Sequence, residues 1–314
     1  MEPFVRLVDI EKRFGDHLAV DGLSFAVAPG EVFGFLGPNG AGKTTSIRIL
    51  LDILSPDRGT VSVLGARSAL AVADRVGYLP EERGLYRNMT AEGVITYLAR
   101  LKGLDARTAR RRARDLLERY GLGDVARRRV KQLSKGMAQK VQVLSTLAHD
   151  PDLLILDEPF SGLDPVNQQV LEQVLRDLKA AGKTVIFSTH VMQHAERLCD
   201  RILLIAKGRD IFSGTVDEAK ARLDIRLRLR TEGDIAPLRA LPAIKRVFRR
   251  RSEGDVAEWE FRAARSFSVE RMIETCIRHR IPIRHFTMLE PSLHDVFVRL
   301  VRAEDAPAGR EATT

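Results

Sequence analysis

The stretch GPNGAGKTT, residues 37–45, decides the fold of the first part of the chain. It follows the apolar run EVFGFL at 31–36 and precedes SIRILL at 46–51, so we predict a buried strand, a glycine-rich loop and a helix. The spacing of its first glycine and its Gly-Lys-Thr end matches G-x-x-x-x-G-K-[ST]. Glycines let successive N–H groups turn inward around a phosphate, and the helix N-terminus adds positive potential. The stretch therefore predicts a phosphate-binding loop.

Every residue of this loop is a candidate contact for a nucleotide. These residues are Gly37, Pro38, Asn39, Gly40, Ala41, Gly42, Lys43, Thr44 and Thr45. We expect Lys43 to reach the β- and γ-phosphates and the Thr44 hydroxyl to hold Mg²⁺. The loop alone predicts nucleotide binding, because kinases, GTPases and motors carry loops of this kind.

Two acidic residues narrow the prediction to hydrolysis. The run LLIL at 153–156 is wholly apolar, as a strand buried on both faces must be. Asp157 and Glu158 follow it directly, at the edge where a parallel sheet meets a bound phosphate. We expect Asp157 to hold the Mg²⁺ shell and Glu158 to accept a proton from the attacking water.

Length and composition indicate a soluble protein of about two domains. The chain has 314 residues, of which 44% are hydrophobic and 30% are charged. It has no run of eighteen apolar residues, and its start lacks the apolar core of a signal peptide. Cys199 and Cys276 lie far apart without metal-ligand spacing. We therefore expect a chain that is neither exported nor membrane-spanning and that works in a reducing, cytoplasmic compartment.

Positive charge is concentrated in one part of the chain. The net charge is +9, and twelve basic residues against four acidic ones lie between Arg100 and Lys131. Such clusters bind nucleic acid or an anionic membrane, but they are more often solvated helix faces. Aromatic residues are few and are not interleaved with the basic ones, so we expect no nucleic acid partner and rank membrane proximity second.

Hydrophobic periodicity predicts an α/β domain at residues 1–220. Alternating segments near 5–10, 23–27 and 60–64 predict an antiparallel β layer. Helices are predicted near 91–102, 106–120 and 133–149, within a helical subdomain at about 81–150. Beyond it, the helix at 165–180 alternates with strands at 153–156 and 184–188 and with two further strands near 201–205 and 210–212, which predicts a parallel sheet.

A second domain is predicted at residues 224–302. Strict alternation at 224–230 marks a strand, and the following segments give the order βαββαβ, a split βαβ arrangement. A closing helix is predicted at 292–301. The small, polar stretch at 303–314 is predicted to be a disordered tail.

The pentapeptide LSKGM at 133–137 resembles the signature sequence of ABC-transporter ATPases and precedes Asp157 at that family's usual distance. The chain is similar to this family from Phe4 to about Gly214. The resemblance implies an α/β P-loop ABC ATPase domain, with a parallel-sheet core, an antiparallel β layer and a helical subdomain. It also implies ATP and Mg²⁺ as cofactors, with two copies enclosing two ATP molecules.

In that family the signature serine and glycine, here Ser134 and Gly136, face the γ-phosphate held by the other subunit. Lys135 and Met137 depart from the commoner LSGGQ. Because Lys135 keeps a hydrogen-bond donor, we interpret the change as a subfamily mark.

The resemblance implies roles for four further residues. Phe14 matches the aromatic that stacks on adenine, and Asp164 lies in the loop SGLD that communicates across the dimer. His190 matches the histidine that contacts the γ-phosphate and orients Glu158 and water. Glu81 stands where the family commonly has a glutamine that bridges Mg²⁺, water and the permease. We expect Glu81 to ligate Mg²⁺ together with Thr44 and Asp157.

The segments GYLPEERGLY, LSKGM and LDEPFSGLDP, with EPSLHDVF near the end, resemble the ATPase subunits of type-2 ABC exporters. Those of the sodium-efflux and antibiotic self-resistance branch are most similar. The resemblance implies a small C-terminal α+β domain of ferredoxin-like βαββαβ order. It implies an ATP-hydrolysing subunit on the inner face of the cell membrane, a separate integral-membrane permease, and a homodimer or a heterodimer with a paralogue.

Three other functions fit the motifs less well. An importer ATPase with a regulatory C-terminal domain is opposed only by Glu81 and LSKGM. DNA-repair and chromosome ATPases insert long coiled coils between the phosphate loop and the signature. Here about ninety residues separate Thr45 from Leu133, without sustained heptads. Translation-associated ATPases usually carry the motifs twice, and this chain carries them once.

Overall fold

The computed structural model of the protein describes residues 2–82 and 84–305. They divide into two compact units, one ending at Val216 and the other beginning at Asp217. Each unit has a hydrophobic core of its own. Within these described ranges no helix is long and apolar enough to cross a membrane.

The first unit alternates strands and helices. Its strands are β1 (Val5–Phe14), β2 (His17–Val27), β3 (Val32–Leu36), β4 (Arg58–Val63), β5 (Val76–Leu79), β6 (Leu153–Leu156), β7 (Thr184–Thr189), β8 (Arg201–Ala206) and β9 (Arg209–Thr215). Its helices are α1 (Lys43–Leu50), α2 (Ala91–Leu101), α3 (Ala106–Arg119), α4 (Lys135–Leu147), α5 (Pro165–Ala180) and α6 (Met192–Leu198).

Six of the described strands form the central sheet, in the order β5-β6-β7-β3-β8-β9. The pairs from β5 to β8 are parallel, and β3, β6 and β7 are buried along their whole length. Parallel strands end at the same edge of a sheet. The loops that follow β3, β6 and β7 are therefore brought together, and these loops carry the predicted site.

The last strand of this sheet differs from the expected parallel arrangement. β9 pairs with β8 in the antiparallel sense. Only Lys207 and Gly208 connect the two strands, and both have left-handed backbone angles, with φ of 49° and 83°. A two-residue turn of this kind can join only antiparallel neighbours.

The antiparallel β layer is confirmed, with the strand order β2-β1-β4. β1 and β2 are longer than their alternation predicts. β1 continues through charged residues to Phe14, and β2 begins at His17, which pairs with Phe14. Asp57 holds this extension in place: its carboxylate accepts from Lys12 Nζ at 2.8 Å and from the Arg13 N–H at 2.7 Å. The extension carries Phe14 to the edge of the phosphate loop's cavity.

Helices α2, α3 and α4 pack around one apolar cluster, as the predicted helical subdomain requires. Part of the basic run is used inside this subdomain. The half-exposed Arg110 and Arg114 of α3 lie 2.8 and 2.9 Å from the buried Glu92 of α2. The structure therefore assigns these two arginines to the packing of α3 against α2.

The second unit is an antiparallel sheet with helices. Its elements are α7 (Val216–Ala221), β10 (Ile225–Thr231), α8 (Ala236–Arg239), β11 (Ile244–Glu253), β12 (Val256–Ala263), α9 (Val269–Arg278), β13 (His285–Leu289) and α10 (Leu293–Asp305). The strand order is β11-β12-β10-β13. From β10 to β13 the chain thus follows the predicted βαββαβ order. Leu227 and Leu229 of β10 pack with Met272 and Cys276 of α9 in this unit's core.

The closing helix is longer than predicted. α10 ends at Asp305, so residues 303–305 of the predicted disordered tail are helical. Ala303 and Glu304 are good helix formers, and residues 293–306 contain neither glycine nor proline. Residues 306–314 of that tail, and Arg83 of GYLPEERGLY, lie outside the described residues.

Candidate nucleotide site

The glycine-rich loop connects β3 to α1, and two of its glycines are sterically required. A Cβ on Gly37 would overlap the carbonyl oxygen of Ile205. Gly42 has a φ of 104°, and a Cβ there would lie 2.5 Å from the carbonyl oxygen of Ala19. The loop therefore lies directly against β8 and β2, with no space for a larger residue at either position.

Lys43 is folded back over this loop. Its Nζ donates to the carbonyl oxygens of Gly37 at 2.8 Å and Pro38 at 3.2 Å, and it lies 3.2 Å from Glu158 Oε1. The lysine is only 6% exposed. A buried ammonium is stable only with such compensation. Lys43 thus joins the loop after β3 to the carboxylate after β6.

The ends of β6 and β7 hold the two predicted carboxylates in place. Ser188 Oγ donates to Asp157 Oδ1 at 2.5 Å and accepts from the Glu158 N–H at 2.8 Å. His190 Nδ1 lies 3.0 Å from Glu158 Oε2. The sequence reasoning placed Asp157, Glu158 and His190 here but missed Ser188. The sequence did contain a signal for Ser188, because it is a hydroxyl residue one position before the end of the fully buried strand β7.

The loop borders a cavity of about 470 Å³. Its described lining residues are Phe14, His17, Ala19, Asn39, Gly40, Gly42, Lys43, Thr44, Thr45, Glu81 and Glu158. The structure thus brings together Phe14, which is the predicted contact for adenine, most of the phosphate loop, Glu81 and Glu158. His17 and Ala19 were not expected; β2 carries them here because it follows the turn after Phe14.

Phe14 lies at the rim of this cavity with 48% of its surface exposed. Lys12 Nζ is 5.8 Å from the ring centroid. The half-exposed ring is available for stacking against a planar base.

The oxygen donors in the cavity and at the end of β6 fit a magnesium ion. Asp157 Oδ2 is buried and has no hydrogen-bond partner among the described residues. Thr44 and Glu81 line the cavity, whereas Asp157 and His190 are not among its described lining residues. Both lie next to Glu158, which does line it. The described residues contain no cluster of three or more His, Cys, Asp or Glu that could enclose a metal. Mg²⁺ is usually held by one or two carboxylates, with phosphate oxygens and water completing its shell, so this sparse donor set is suitable.

The signature residues lie elsewhere. Ser134, Gly136 and Asp164 are not among the described residues that line the cavity. Ser134 caps α4, where its Oγ accepts from the Met137 N–H at 3.2 Å. A Cβ on the buried Gly136 would overlap the Asn167 side chain.

Asn167 links Gly136 to Asp164. Its backbone N–H donates to Asp164 Oδ1 at 2.9 Å and its side-chain amide donates to Oδ2 at 2.6 Å. These hydrogen bonds lower the pKa of the Asp164 carboxyl below its usual range. Asp164 thus caps α5 beside the start of α4, as part of a signature surface formed by Ser134, Gly136 and Asp164.

Comparison with known proteins identifies the family. Residues 20–161 match the family model described as ABC transporter. Over 94% of its length the chain is 38% identical to an uncharacterized ABC transporter ATP-binding protein, YhaQ, of Bacillus subtilis (strain 168), covering 97% of that protein. The chain belongs to the ABC transporter family of ATP-binding proteins. The expected recognition and fold class are confirmed, and the protein is an ATP-binding, ATP-hydrolysing subunit of an ABC transporter.

Further similarities cover each part of this ABC protein. Residues 214–301 match the model described as ATP-binding protein DrrA1-3-like, C-terminal domain. The chain is 43% identical to the Nod factor export ATP-binding protein I of Burkholderia orbicola (strain AU 1054), over 66% of this chain and 69% of that one. A solved structure described as the ATP-binding subunit of an ABC transporter superposes with a TM-score of 0.64 at 32% identity, covering 70% of this chain and 92% of that chain.

Proposed function

We propose that this chain drives an ABC exporter from the cytoplasmic face of the membrane, bound to a separate integral-membrane permease. The observation that carries the proposal is the cluster of Lys43, Asp157, Glu158 and His190, joined by contacts of 2.5–3.2 Å directly or through Ser188. The similarity to a Nod factor export protein and to a DrrA-like C-terminal domain supports export as the direction of transport.

Nucleotide binding uses the loop and the cavity rim. The N–H groups of the loop surround the phosphates, and Phe14 stacks on adenine. Lys43 leaves the carbonyl oxygens and Glu158 for the more highly charged phosphates. Binding of ATP therefore releases the Glu158 carboxylate from its lysine partner.

Hydrolysis then depends on Glu158. Its Oε1 accepts a proton from the attacking water, while His190 holds Oε2 in position. Thr44, Asp157 and Glu81 would hold Mg²⁺, which neutralises charge on the β- and γ-phosphates. Ser188 keeps the Asp157 and Glu158 groups at a constant separation through its two hydrogen bonds.

A second copy completes the site. Ser134, Gly136 and Asp164 are not among the described residues that line the cavity of their own chain. For Ser134 and Gly136 to donate to a γ-phosphate, another copy of this chain or a close paralogue must present them. ATP is then enclosed between two ATPase subunits, and closing and opening of that pair applies force to the permease.

Purification from native membranes tests the proposed assembly. A tagged chain should be recovered in mild detergent together with a polytopic membrane protein, and the complex should hydrolyse ATP. Lys43→Ala is the matched control, because it should retain the membrane protein while losing turnover. Recovery of the chain with nucleic acid, or without any membrane protein in either variant, would contradict the proposal.

A further inference from the structure

The second unit contains a cavity of about 440 Å³ with a strongly basic lining. The sheet contributes Arg226 of β10 and Arg262 of β12. Helix α10 contributes His294, Arg299 and Arg302. Pro291, His294 and Asp295 of the EPSLHDVF segment line this cavity, and the proposed ATPase mechanism does not use it.

The carboxylates of this cavity already have partners. Asp295 Oδ2 lies 3.1 Å from a terminal nitrogen of Arg226 and accepts from Ser292. Asp224 Oδ1 lies 2.5 Å from Lys245 Nζ. Among the acidic side chains that the structure describes, which do not include residues 253, 304 and 305, none pairs with Arg262, Arg299 or Arg302. The lining therefore has an excess of positive charge.

Arg262 is held beside an aromatic ring at this cavity. Its guanidinium carbon lies 5.2 Å from the centroid of Phe248, which holds the plane of the group against an aromatic ring. Its Nε is buried and has no hydrogen-bond partner among the residues that the structure describes. A buried donor without an acceptor is destabilising. Arg262 also lines the cavity, so its guanidinium group is next to any anion bound there.

The register of the strands places arginines opposite one another in the sheet, which adds to the electrostatic repulsion around Arg262. Arg226 of β10 and Arg246 of β11 both lie directly opposite Arg262. Like charges in directly opposed positions destabilise a sheet. Arg299 and Arg302 are three residues apart on α10 and therefore project to the same side of that helix. Arginines from the sheet and the helix thus converge on one cavity.

We propose that this cavity binds an oxyanion of the phosphate class, either on a soluble phosphorylated compound or on a phospholipid headgroup. Guanidinium groups are suited to this ligand because their planar N–H pairs match the oxygens of a phosphate. The site is separate from the nucleotide loop and has its own ligand.

Titration of the full chain with inorganic pyrophosphate tests the site. All variants carry Lys43→Ala, which weakens anion binding at the nucleotide loop equally in each. Arg262→Ala/Arg299→Ala should weaken pyrophosphate binding by at least about tenfold in calorimetry. Arg271→Ala/Arg278→Ala removes the same charge from the exposed surface of α9 and should change the affinity little. Arg262→Lys, which keeps the charge but loses the planar fork, should give an intermediate affinity.

Co-sedimentation with vesicles distinguishes a phospholipid headgroup from a soluble phosphorylated compound as the ligand. Vesicles of phosphatidylglycerol and phosphatidylcholine are compared with vesicles of phosphatidylcholine alone at constant ionic strength. A lipid headgroup is the ligand if Arg262→Ala/Arg299→Ala reduces sedimentation with the anionic vesicles more than Arg271→Ala/Arg278→Ala does. A soluble ligand is indicated if Arg262→Ala/Arg299→Ala weakens pyrophosphate binding but does not change sedimentation with the vesicles. The proposal is overturned if the two double variants bind pyrophosphate with equal affinity and also sediment equally with the anionic vesicles.

Discussion

Lys43 Nζ lies 3.2 Å from Glu158 Oε1, and both side chains are buried. The residue expected to hold the phosphates is therefore paired with the residue expected to activate water. Arrival of a triphosphate would draw Lys43 away and release Glu158. In this arrangement the base becomes available only when there is a substrate to hydrolyse, which links nucleotide binding to catalysis without movement of the sheet.

Removing the lysine should separate binding from chemistry. Lys43→Ala is expected to weaken ATP binding by at least about tenfold, because it removes charge-assisted hydrogen bonds to phosphate. Glu158→Gln should keep binding while turnover falls by about a hundredfold or more. Titration calorimetry and a phosphate-release assay measure the two effects. Unchanged ATP affinity in Lys43→Ala would contradict the role of this loop.

Ser188 should be needed for both stability and activity. Ser188→Ala leaves the buried Glu158 N–H without its acceptor, so we expect a loss of about 1–3 kcal/mol in the free energy of unfolding, together with reduced turnover. Ser145→Ala is the matched control, because that buried hydroxyl only donates to the Val141 carbonyl oxygen of its own helix. Urea unfolding compares the two. An equal, small effect of both substitutions would show that Ser188 does not position the carboxylates.

Glu81 should affect the metal dependence of turnover. If it ligates Mg²⁺, Glu81→Ala should raise the Mg²⁺ concentration required for half-maximal ATPase activity. Glu81→Gln keeps a carbonyl oxygen and should have a smaller effect. The assay is a Mg²⁺ titration at saturating ATP. Wild-type metal dependence and transport coupling in both variants would remove Glu81 from the site.

His149 should make the fold sensitive to acid. Burial, and then the nearby Lys102 cation, lower the pKa of His149 to about 4 in the folded chain. The unfolded chain has the ordinary pKa of about 6.5 and so binds more protons below that pH. Stability should therefore be complete above about pH 6.5 and fall as the pH drops toward 4, by about 2 kcal/mol at pH 5.

Urea unfolding at pH 7 and pH 5 measures this contribution. His149→Gln should lose less stability between the two pH values than the wild type does. His17→Gln, at an exposed position, should behave like the wild type. An identical pH response in His149→Gln would exclude His149 as the source of the acid sensitivity.

Much of the fold follows from local patterns in the sequence. The glycine-rich loop, the apolar strand before Asp157 and the βαββαβ order all lie where periodicity predicts them. These features depend on neighbouring residues, so a single sequence contains the information. The antiparallel direction of β9 also had a local signal in Lys207 and Gly208, which the pattern of alternating strands and helices obscured.

Other features depend on contacts between distant segments. Ser188 reaches Asp157 only because β6 and β7 pair with Leu156 opposite Phe187. His17 enters the nucleotide cavity because Asp57, on another segment, stabilises the extended end of β1. The opposition of Arg226, Arg262 and Arg246 depends on the register of three strands. Register and pairing are not encoded in the local pattern of any one of these segments.

The central claim is that two copies complete each ATP site. Its most direct test is the mass of Glu158→Gln in solution, measured by light scattering with ATP and Mg²⁺ and again without nucleotide. We predict a monomer without nucleotide and an ATP-dependent dimer. A Glu158→Gln chain that remains monomeric with ATP bound would contradict the claim.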